Sequence, residues 1–191
     1  VELNIACKAN SASTAKFQPY PGTAMAKFAV EKDLVKQGNI LEMLPENYHL
    51  TLIFLGDVDT ARLSGLQFAL ERKLASAKAI PCKISEITPF PFSRSPKIIA
   101  ALLERTVELL KLQSDVANCV RSYGISVERR RFVPHVTLGR LKSHSGKAVN
   151  FQPLTIFFEG EANAVTLYQS QLTPDGAIHT ALADVPLQTM L

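Results

Sequence analysis

Two stretches of the chain carry the same pattern, in which a histidine and a threonine alternate with apolar residues. The first is "HLTL", residues 49–52, and the second is "HVTL", residues 135–138. Such alternation is typical of a strand with one buried face. In the first strand it assigns Leu50, Leu52 and Phe54 to one face and His49 and Thr51 to the other. The sequence therefore predicts two matching strands, each presenting an imidazole beside a hydroxyl group.

The elements between these two strands follow an order that repeats. "DTARLSGLQFALERKLASA" has leucines at helical spacing, and "TVELLKLQSDVANCVRSYG" predicts a second helix that Gly124 ends. "IPCKISEITPFPF" predicts a strand running into a proline-rich turn, and "KIIAALLE" predicts another strand, with a helix as the alternative. The order strand, helix, strand, strand, helix, strand predicts an α+β fold of two similar lobes that share one cleft.

The two ends of the chain are harder to assign. Residues 1–23 are poorly assigned, with "VELNIACKA" as a possible strand, while residues 24–30 predict a strand and residues 31–44 a helix interrupted near Gly38. The stretch 150–187 predicts at least three strand segments, with "TPDGA" as a hairpin turn. Because no low-complexity linker divides the chain, residues 1–191 are interpreted as a single domain of two lobes.

Composition narrows the class of protein. The 191 residues are 47% hydrophobic, enough for a substantial core, and a net charge of +4 suits an anionic partner. The absence of tryptophan disfavours a nonspecific single-strand binder that stacks bases on aromatic side chains. Cys7, Cys82 and Cys119 form no close pair, which favours buried structural thiols and a cytoplasmic setting. No apolar run reaches the length of a membrane span, so no membrane partner is expected.

The paired motifs favour acid–base chemistry at phosphorus. Val136 and Leu138 are predicted to face the core, which leaves His135 and Thr137 on the open face, as in the first strand. Two imidazoles can serve as general base and general acid near neutral pH, and threonine hydroxyls can donate hydrogen bonds to phosphoryl oxygens. No metal-ligand spacing accompanies the histidines, so neither a metal nor another cofactor is expected.

The two histidine motifs and the residues that flank them resemble those of a known protein family. "ENYHLTLIFLGDV" and "FVPHVTLGRL" resemble the two signature motifs of the two-histidine phosphoesterases, and within them the bacterial and archaeal RNA 2′,3′-cyclic phosphodiesterases, also named 2′-5′ RNA ligases. The likeness spans roughly residues 44–187. It implies a bilobal, pseudo-symmetric fold in which antiparallel sheets line a central cleft and helices pack outside.

The resemblance also implies an activity and a site. It implies hydrolysis of 2′,3′-cyclic phosphate ends of RNA to 2′-phosphomonoesters, with reversible 2′-5′ ligation associated with the group. The implied catalytic residues are His49, Thr51, His135 and Thr137. Arg140 falls where close relatives carry a basic residue near the phosphate. We favour His135 as the base and His49 as the acid, and the sequence leaves the reverse assignment open.

Other residues are weaker candidates for the site. Arg131 can hold an RNA phosphate, and Phe132 can stack on a base, although core packing is the stronger interpretation of Phe132. His144 and His179 are interpreted as surface residues, and residues 89–97 as an ordinary loop rather than a cleft rim. The group usually opens with an aromatic-rich strand, whereas "VELNIACKA" lies too far from His49 and is too polar to match it.

Alternative functions share the same motifs. One is a phosphodiesterase acting on 2′-5′ oligoadenylate or cyclic nucleotides, and the other is a non-catalytic module that binds RNA ends. The intact pair of histidines favours an enzyme, because a binding module has no need of both imidazoles. The expected partner is an RNA or nucleotide with a 2′,3′-cyclic phosphate, bound by a monomer.

Overall fold

The computed structural model of the protein describes residues 2–9, 40–42, 48–93, 95–127, 131–141, 153–173 and 176–189 of the 191. These residues form eight strands and two α-helices. In chain order they are β1 Glu2–Ala9, β2 Ile40–Glu42, β3 Leu50–Asp57, α1 Leu63–Leu74, β4 Ile80–Phe90, β5 Ile98–Leu103, α2 Val107–Ser122, β6 His135–Leu141, β7 Leu154–Thr173 and β8 Gly176–Pro186. The order from β3 to β6 is the predicted one, and the ambiguous segment "KIIAALLE" forms a strand.

Six of the described strands close into a ring of antiparallel pairs. The ring runs β1, β3, β6, β5, β4, β7 and back to β1. Strand β8 extends it beyond β7, and β2 extends it beside β6. Closure satisfies backbone groups that an open sheet would leave at its edges. It also brings β3 and β6, the two histidine strands, side by side. This arrangement confirms the predicted α+β class with antiparallel sheets.

Strand β7 holds the two halves of the ring together. Its first half pairs with β4 and its second half with β1, and Ala162 is the residue where the partner changes, pairing with both Ile80 and Ala9. The prediction of at least three strands over 150–187 was wrong for this reason. The chain continues in one strand through Gly160 and Ala162 instead of turning, because each half finds its own partner strand.

The first 44 residues contain two described strands, one that the sequence indicated and one that it did not. "VELNIACKA" forms β1, as the sequence indicated, and β1 pairs with β3 on one side and with β7 on the other. Residues Ile40–Glu42 form a strand instead of the end of a helix, because the edge of β6 supplies backbone partners. The rest of 24–44 lies outside the described residues.

The helices follow the apolar spacing of the sequence. Leu66, Leu70 and Leu74 of α1 are buried in one core with the strands, as their spacing of four predicts. Helix α2 begins at a cap in which the Thr106 hydroxyl accepts a hydrogen bond from the Leu109 N–H. It ends before Gly124, whose φ of 77° suits glycine. Among the described helices, none is long and apolar enough to cross a membrane.

We expect the inward face of α1 to carry much of the stability of this core. Leu70 is 1% exposed, whereas Phe68 on the same helix is 62% exposed. Leu70→Ala should lower the free energy of unfolding by about 2–5 kcal/mol through lost burial and a residual cavity. Phe68→Ala should change it by less than about 0.5 kcal/mol. Urea denaturation measures both, and equal losses would contradict this packing.

Candidate active site

The two histidine motifs meet at one backbone pair. Strands β3 and β6 are antiparallel, and Leu50 pairs with Val136. Residues directly opposite each other in such a pair point to the same face, and their neighbours point to the other face. Leu50 is buried and Val136 packs against the core. The neighbours of this pair therefore emerge together on the opposite face, which we call the cleft face.

Four sequence-predicted residues stand on the cleft face around this pair. They are His49, Thr51, His135 and Thr137, and each is partly buried. Extending the register by one residue in each direction places the histidine of each motif near the threonine of the other. The arrangement is a pair of imidazoles and a pair of hydroxyl groups related by a local two-fold axis.

Both motif strands contain a β-bulge directly after the threonine. In β3, Thr51 pairs with Ala6 and Ile53 with Ile5, so Leu52 is the additional residue. In β6, Thr137 and Gly139 pair with Ala100 and Ile99, so Leu138 is the additional residue. Two consecutive buried residues follow the threonine in each strand, as a bulge of this kind requires.

The bulges change which side chains reach the cleft face. Strict alternation predicted that Phe54 shares the core face with Leu50, and this was wrong. The bulge at Leu52 turns Phe54 outward, and its side chain is 51% exposed. In β6 the equivalent bulge returns the exposed Arg140 to the face of His135. Phe54 and Arg140 each lie five residues after a motif histidine, so they occupy equivalent positions in the two halves.

The repetition extends beyond the motif strands. In the His135 half, Thr137 pairs with Ala100, and Ala100 pairs with Thr88 of β4. In the His49 half, Thr51 pairs with Ala6, and Ala6 pairs with Thr166 of β7. Each half thus has a row of three paired residues, threonine–alanine–threonine, across three neighbouring strands. Two positions after the last threonine of each row stands an aromatic residue, Phe90 after Thr88 and Tyr168 after Thr166. Thr88 and Thr166 are the buried polar side chains among the described residues.

His135 is fixed by its own backbone and by one aromatic ring. Its Nδ1 lies 2.8 Å from the carbonyl oxygen of Val133. A carbonyl oxygen only accepts, so Nδ1 must carry the hydrogen, and Nε2 of the neutral ring then holds the lone pair. The Phe90 ring lies 4.5 Å from the imidazole, centroid to centroid, at 34°. Phe90, the last residue of β4, therefore belongs to the site, and the described residues after it, 91–93 and 95–97, form a loop as predicted.

Two rings from strands β7 and β8 contact the His49 imidazole. Its imidazole lies 5.4 Å from the Tyr168 ring at 34°, and 4.7 Å from the His179 ring in an edge-to-face arrangement. The Nδ1 atom of His179 is 2.8 Å from the Ser170 hydroxyl. The interpretation of His179 as a surface residue was therefore wrong. It is partly buried because β8 folds back along β7 toward His49.

The Tyr168 phenol belongs to a short polar network. Burial raises the pKa of Tyr168, a hydrogen bond with Thr166 acts in the opposite direction, and the Asp184 carboxylate raises the pKa further. The Thr166 hydroxyl also donates to Asp184. The phenol therefore stays protonated at neutral pH. It contributes a ring surface beside His49 rather than a titrating group.

The remaining predicted residues lie around this centre. Arg131 is exposed just before β6, and Phe132 is partly buried against the core. A role for Phe132 in base stacking stays a prediction, as does phosphate binding by Arg131. His144 lies outside the described residues. Within the part of the chain that the structure describes, no cluster of three His, Cys, Asp or Glu side chains is placed to hold a metal ion.

Two of the cysteines behave as the structural thiols that the sequence predicts. Cys82 and Cys119 are buried. Burial raises the pKa of Cys82 to about 11 and also raises the pKa of Cys119. Both thiols are thus protonated at neutral pH, which disfavours a role as nucleophiles. The side chain of Cys7 lies outside what the structure describes.

Sequence reasoning missed the aromatic residues and His179. The sequence alone could not distinguish Phe90 and Tyr168 from aromatic residues of the core. Their place beside the histidines depends on the sheet order, in which β4 lies two strands from β6 and β7 lies two strands from β3. One signal was present in the sequence. Thr-x-aromatic occurs in "TPF", residues 88–90, and in "TLY", residues 166–168. The doubled Thr-x-aromatic pattern therefore accompanies the doubled His-x-Thr pattern, with one copy of each in each half of the site.

Known proteins match this chain in sequence. The family model of the 2′-5′ RNA ligase superfamily matches residues 45–171. An RNA 2′,3′-cyclic phosphodiesterase of Thermotoga maritima is 32% identical over 143 residues, covering 72% of this chain and 74% of the relative. One from Aquifex aeolicus is 33% identical over 162 residues, covering 81% and 84%.

Solved structures match it in fold. A protein of Thermus thermophilus has a TM-score of 0.75 at 21% identity, with 99% of each chain covered. E. coli LigT complexed with 3′-AMP has a TM-score of 0.72 at 18% identity, with 97% of each chain covered. These likenesses confirm the predicted α+β fold.

The His135 hydrogen bond predicts a definite tautomer. At a pH where the ring is neutral, we expect Nδ1 to be protonated and Nε2 to be bare, because Val133 offers only an acceptor. Long-range ¹H–¹⁵N correlation spectra of the free protein distinguish the two tautomers, and His135→Gln assigns the signals. A protonated Nε2 with a bare Nδ1 would contradict the geometry.

Proposed function

Because the chain belongs to the 2′-5′ RNA ligase superfamily, we propose that it hydrolyses 2′,3′-cyclic phosphate ends of RNA to 2′-phosphomonoesters. The observation that carries this proposal is the meeting of the two motifs around the Leu50–Val136 pair. It gives one phosphate access to two imidazoles and two hydroxyl groups. Relatives named RNA 2′,3′-cyclic phosphodiesterases, which align with more than 70% of the chain, support the same reaction.

The proposed chemistry divides between the two histidines. His135 acts as the base, since its Nδ1–H bond to Val133 leaves the Nε2 lone pair available to take a proton from water. The water oxygen forms a bond to phosphorus as the bond from phosphorus to the 3′ oxygen breaks. His49 acts as the acid and gives its proton to that leaving oxygen. The product carries its phosphate on the 2′ oxygen, and the two histidines exchange protonation states.

The threonines and Arg140 are proposed to bind the phosphoryl group. Hydroxyl groups of Thr51 and Thr137 can donate to non-bridging oxygens, which stabilises the charge of the transition state. Arg140 shares the cleft face with His135, and a guanidinium can bind phosphate oxygens in pairs. Its equivalent in the other half is the exposed Phe54. A cleft with a cation at one end and an aromatic ring at the other suits a nucleotide, which has a charged and an aromatic part.

The setting of the reaction follows from the same residues. The proposed steps use side chains only, with no metal ion or other cofactor. Protonated, buried Cys82 and Cys119 are consistent with action in the cytoplasm. One chain supplies all four catalytic side chains, so we propose a monomer of two lobes. A 5′-hydroxyl in place of water would give 2′-5′ ligation by the same proton transfers.

We expect the protein to open a 2′,3′-cyclic phosphate in the presence of EDTA. Incubation with an oligonucleotide carrying this end, followed by chromatography and mass spectrometry, should show a terminal 2′-phosphate. A 3′-phosphate product would contradict the assignment of the leaving oxygen. Tight binding without product would favour a binding module. Faster cleavage of 2′-5′ oligoadenylate than of the cyclic end would favour the alternative phosphodiesterase.

Each motif histidine should be required for turnover. His49→Ala and His135→Ala should each lower kcat by about two to four orders of magnitude, because each removes a positioned acid or base. His144→Ala, a histidine outside both motifs, is the matched control and should keep the wild-type rate. Urea denaturation confirms that the variants are folded. A motif variant with near-normal kcat would show that the histidines do not act as a pair.

A further inference from the structure

Among the residues that the structure describes, the two halves of the site differ at one position. On the His49 side, the β7–β8 ladder continues past Tyr168 as far as Thr173 and places His179 opposite Ser170. On the His135 side, the described part of the β4–β7 ladder ends at Ile87 and Leu154, before it reaches Phe90. The longer ladder therefore places a third histidine, His179, beside His49. Within the described residues, the ladder beside His135 has no equivalent position.

We infer that His179, held by Ser170, is a positioning residue for His49. This inference rests on the proposed function, in which His49 protonates the leaving oxygen. The Ser170 hydroxyl and His179 Nδ1 are 2.8 Å apart, so they form a hydrogen bond across the β7–β8 pair. The His179 ring then meets the His49 ring edge to face, with centroids 4.7 Å apart and planes at 76°.

Two aromatic rings contact the His49 imidazole at different angles. Tyr168 covers it at 34°, while His179 meets it nearly at a right angle. The Tyr168 and His179 rings also contact each other, with centroids 6.0 Å apart. Each ring therefore limits a different rotation of the imidazole. An acid must aim one nitrogen at the leaving oxygen, and small misplacements of a catalytic group cost large factors in rate.

His135 achieves the same result by different means. Its Nδ1 bonds to a carbonyl only two residues earlier in the chain. The His179–Ser170 pair comes from strands more than 100 residues away in sequence from His49. These contacts of the two imidazoles thus come from different parts of the chain. Loss of His179 should impair the step that His49 performs and leave the geometry of His135 intact.

The test compares four variants of the full chain. His179→Ala should lower kcat roughly 10- to 100-fold with KM changed less than about twofold, since the ring that orients the acid is lost. His179→Phe keeps an aromatic ring and should recover part of this loss. Ser170→Ala removes the hydrogen bond to His179 but keeps the His179 ring, so it should have a smaller effect than His179→Ala. Thr180→Ala is the matched control, because Thr180 is exposed on the other face of β8, and it should behave as wild type.

A second readout separates this inference from the proposed function. In the free protein, His179→Ala should shift the imidazole NMR signals of His49 and leave those of His135 unchanged. Unchanged His49 signals would overturn the inference even if the enzyme is active. Wild-type kcat in His179→Ala, or a rise in KM alone, would also overturn it. If the wild-type protein does not open the cyclic phosphate, the proposed function fails, and the NMR comparison still decides whether His179 orients His49.

Discussion

The site depends on the backbone pair between Leu50 and Val136. It is where the two histidine strands touch, near the beginning of each strand, and it fixes which side chains face each other. The apolar members of both motifs turn into the core on one side. The polar members are thereby directed to the other side, so the energy that stabilises the strands also aims the catalytic groups. Closure of the six-strand ring is what brings β3 beside β6.

The bulges after the two threonines place additional side chains of β3 and β6 on the cleft face. Without the additional residue at Leu52 and Leu138, the positions of Phe54 and Arg140 would point into the core. A buried arginine there would lack a partner, and the cleft would lose its cation. The same local irregularity in both halves therefore produces two extended surfaces. The halves then diverge in chemistry, with an aromatic side chain at one equivalent position and a guanidinium at the other.

Much of the fold and the centre of the site could be predicted from the sequence. Apolar spacing gave both helices, as Leu66, Leu70 and Leu74 show, and the doubled pattern gave the four central residues. The predictions that failed concern features that depend on contacts between residues distant in sequence. Strand β7 was divided in prediction because partner change at Ala162 leaves no mark that local patterns can read. The faces of Phe54 and His179 depend on bulges and on strand neighbours distant in sequence. The β2 strand depends on an edge supplied by β6, which overrides local preference.

In the proposed mechanism His135 and His49 act as base and acid on one phosphate, and a pH–rate profile tests this pairing most directly. The wild-type profile of kcat/KM should be bell-shaped, because an imidazole titrates near neutral pH and the two must hold opposite protonation states. His135→Ala should abolish the fall in rate at low pH, and His49→Ala the fall at high pH. If each variant keeps both limbs of the bell, or if the wild-type profile is flat from about pH 5 to 9, the paired mechanism is contradicted.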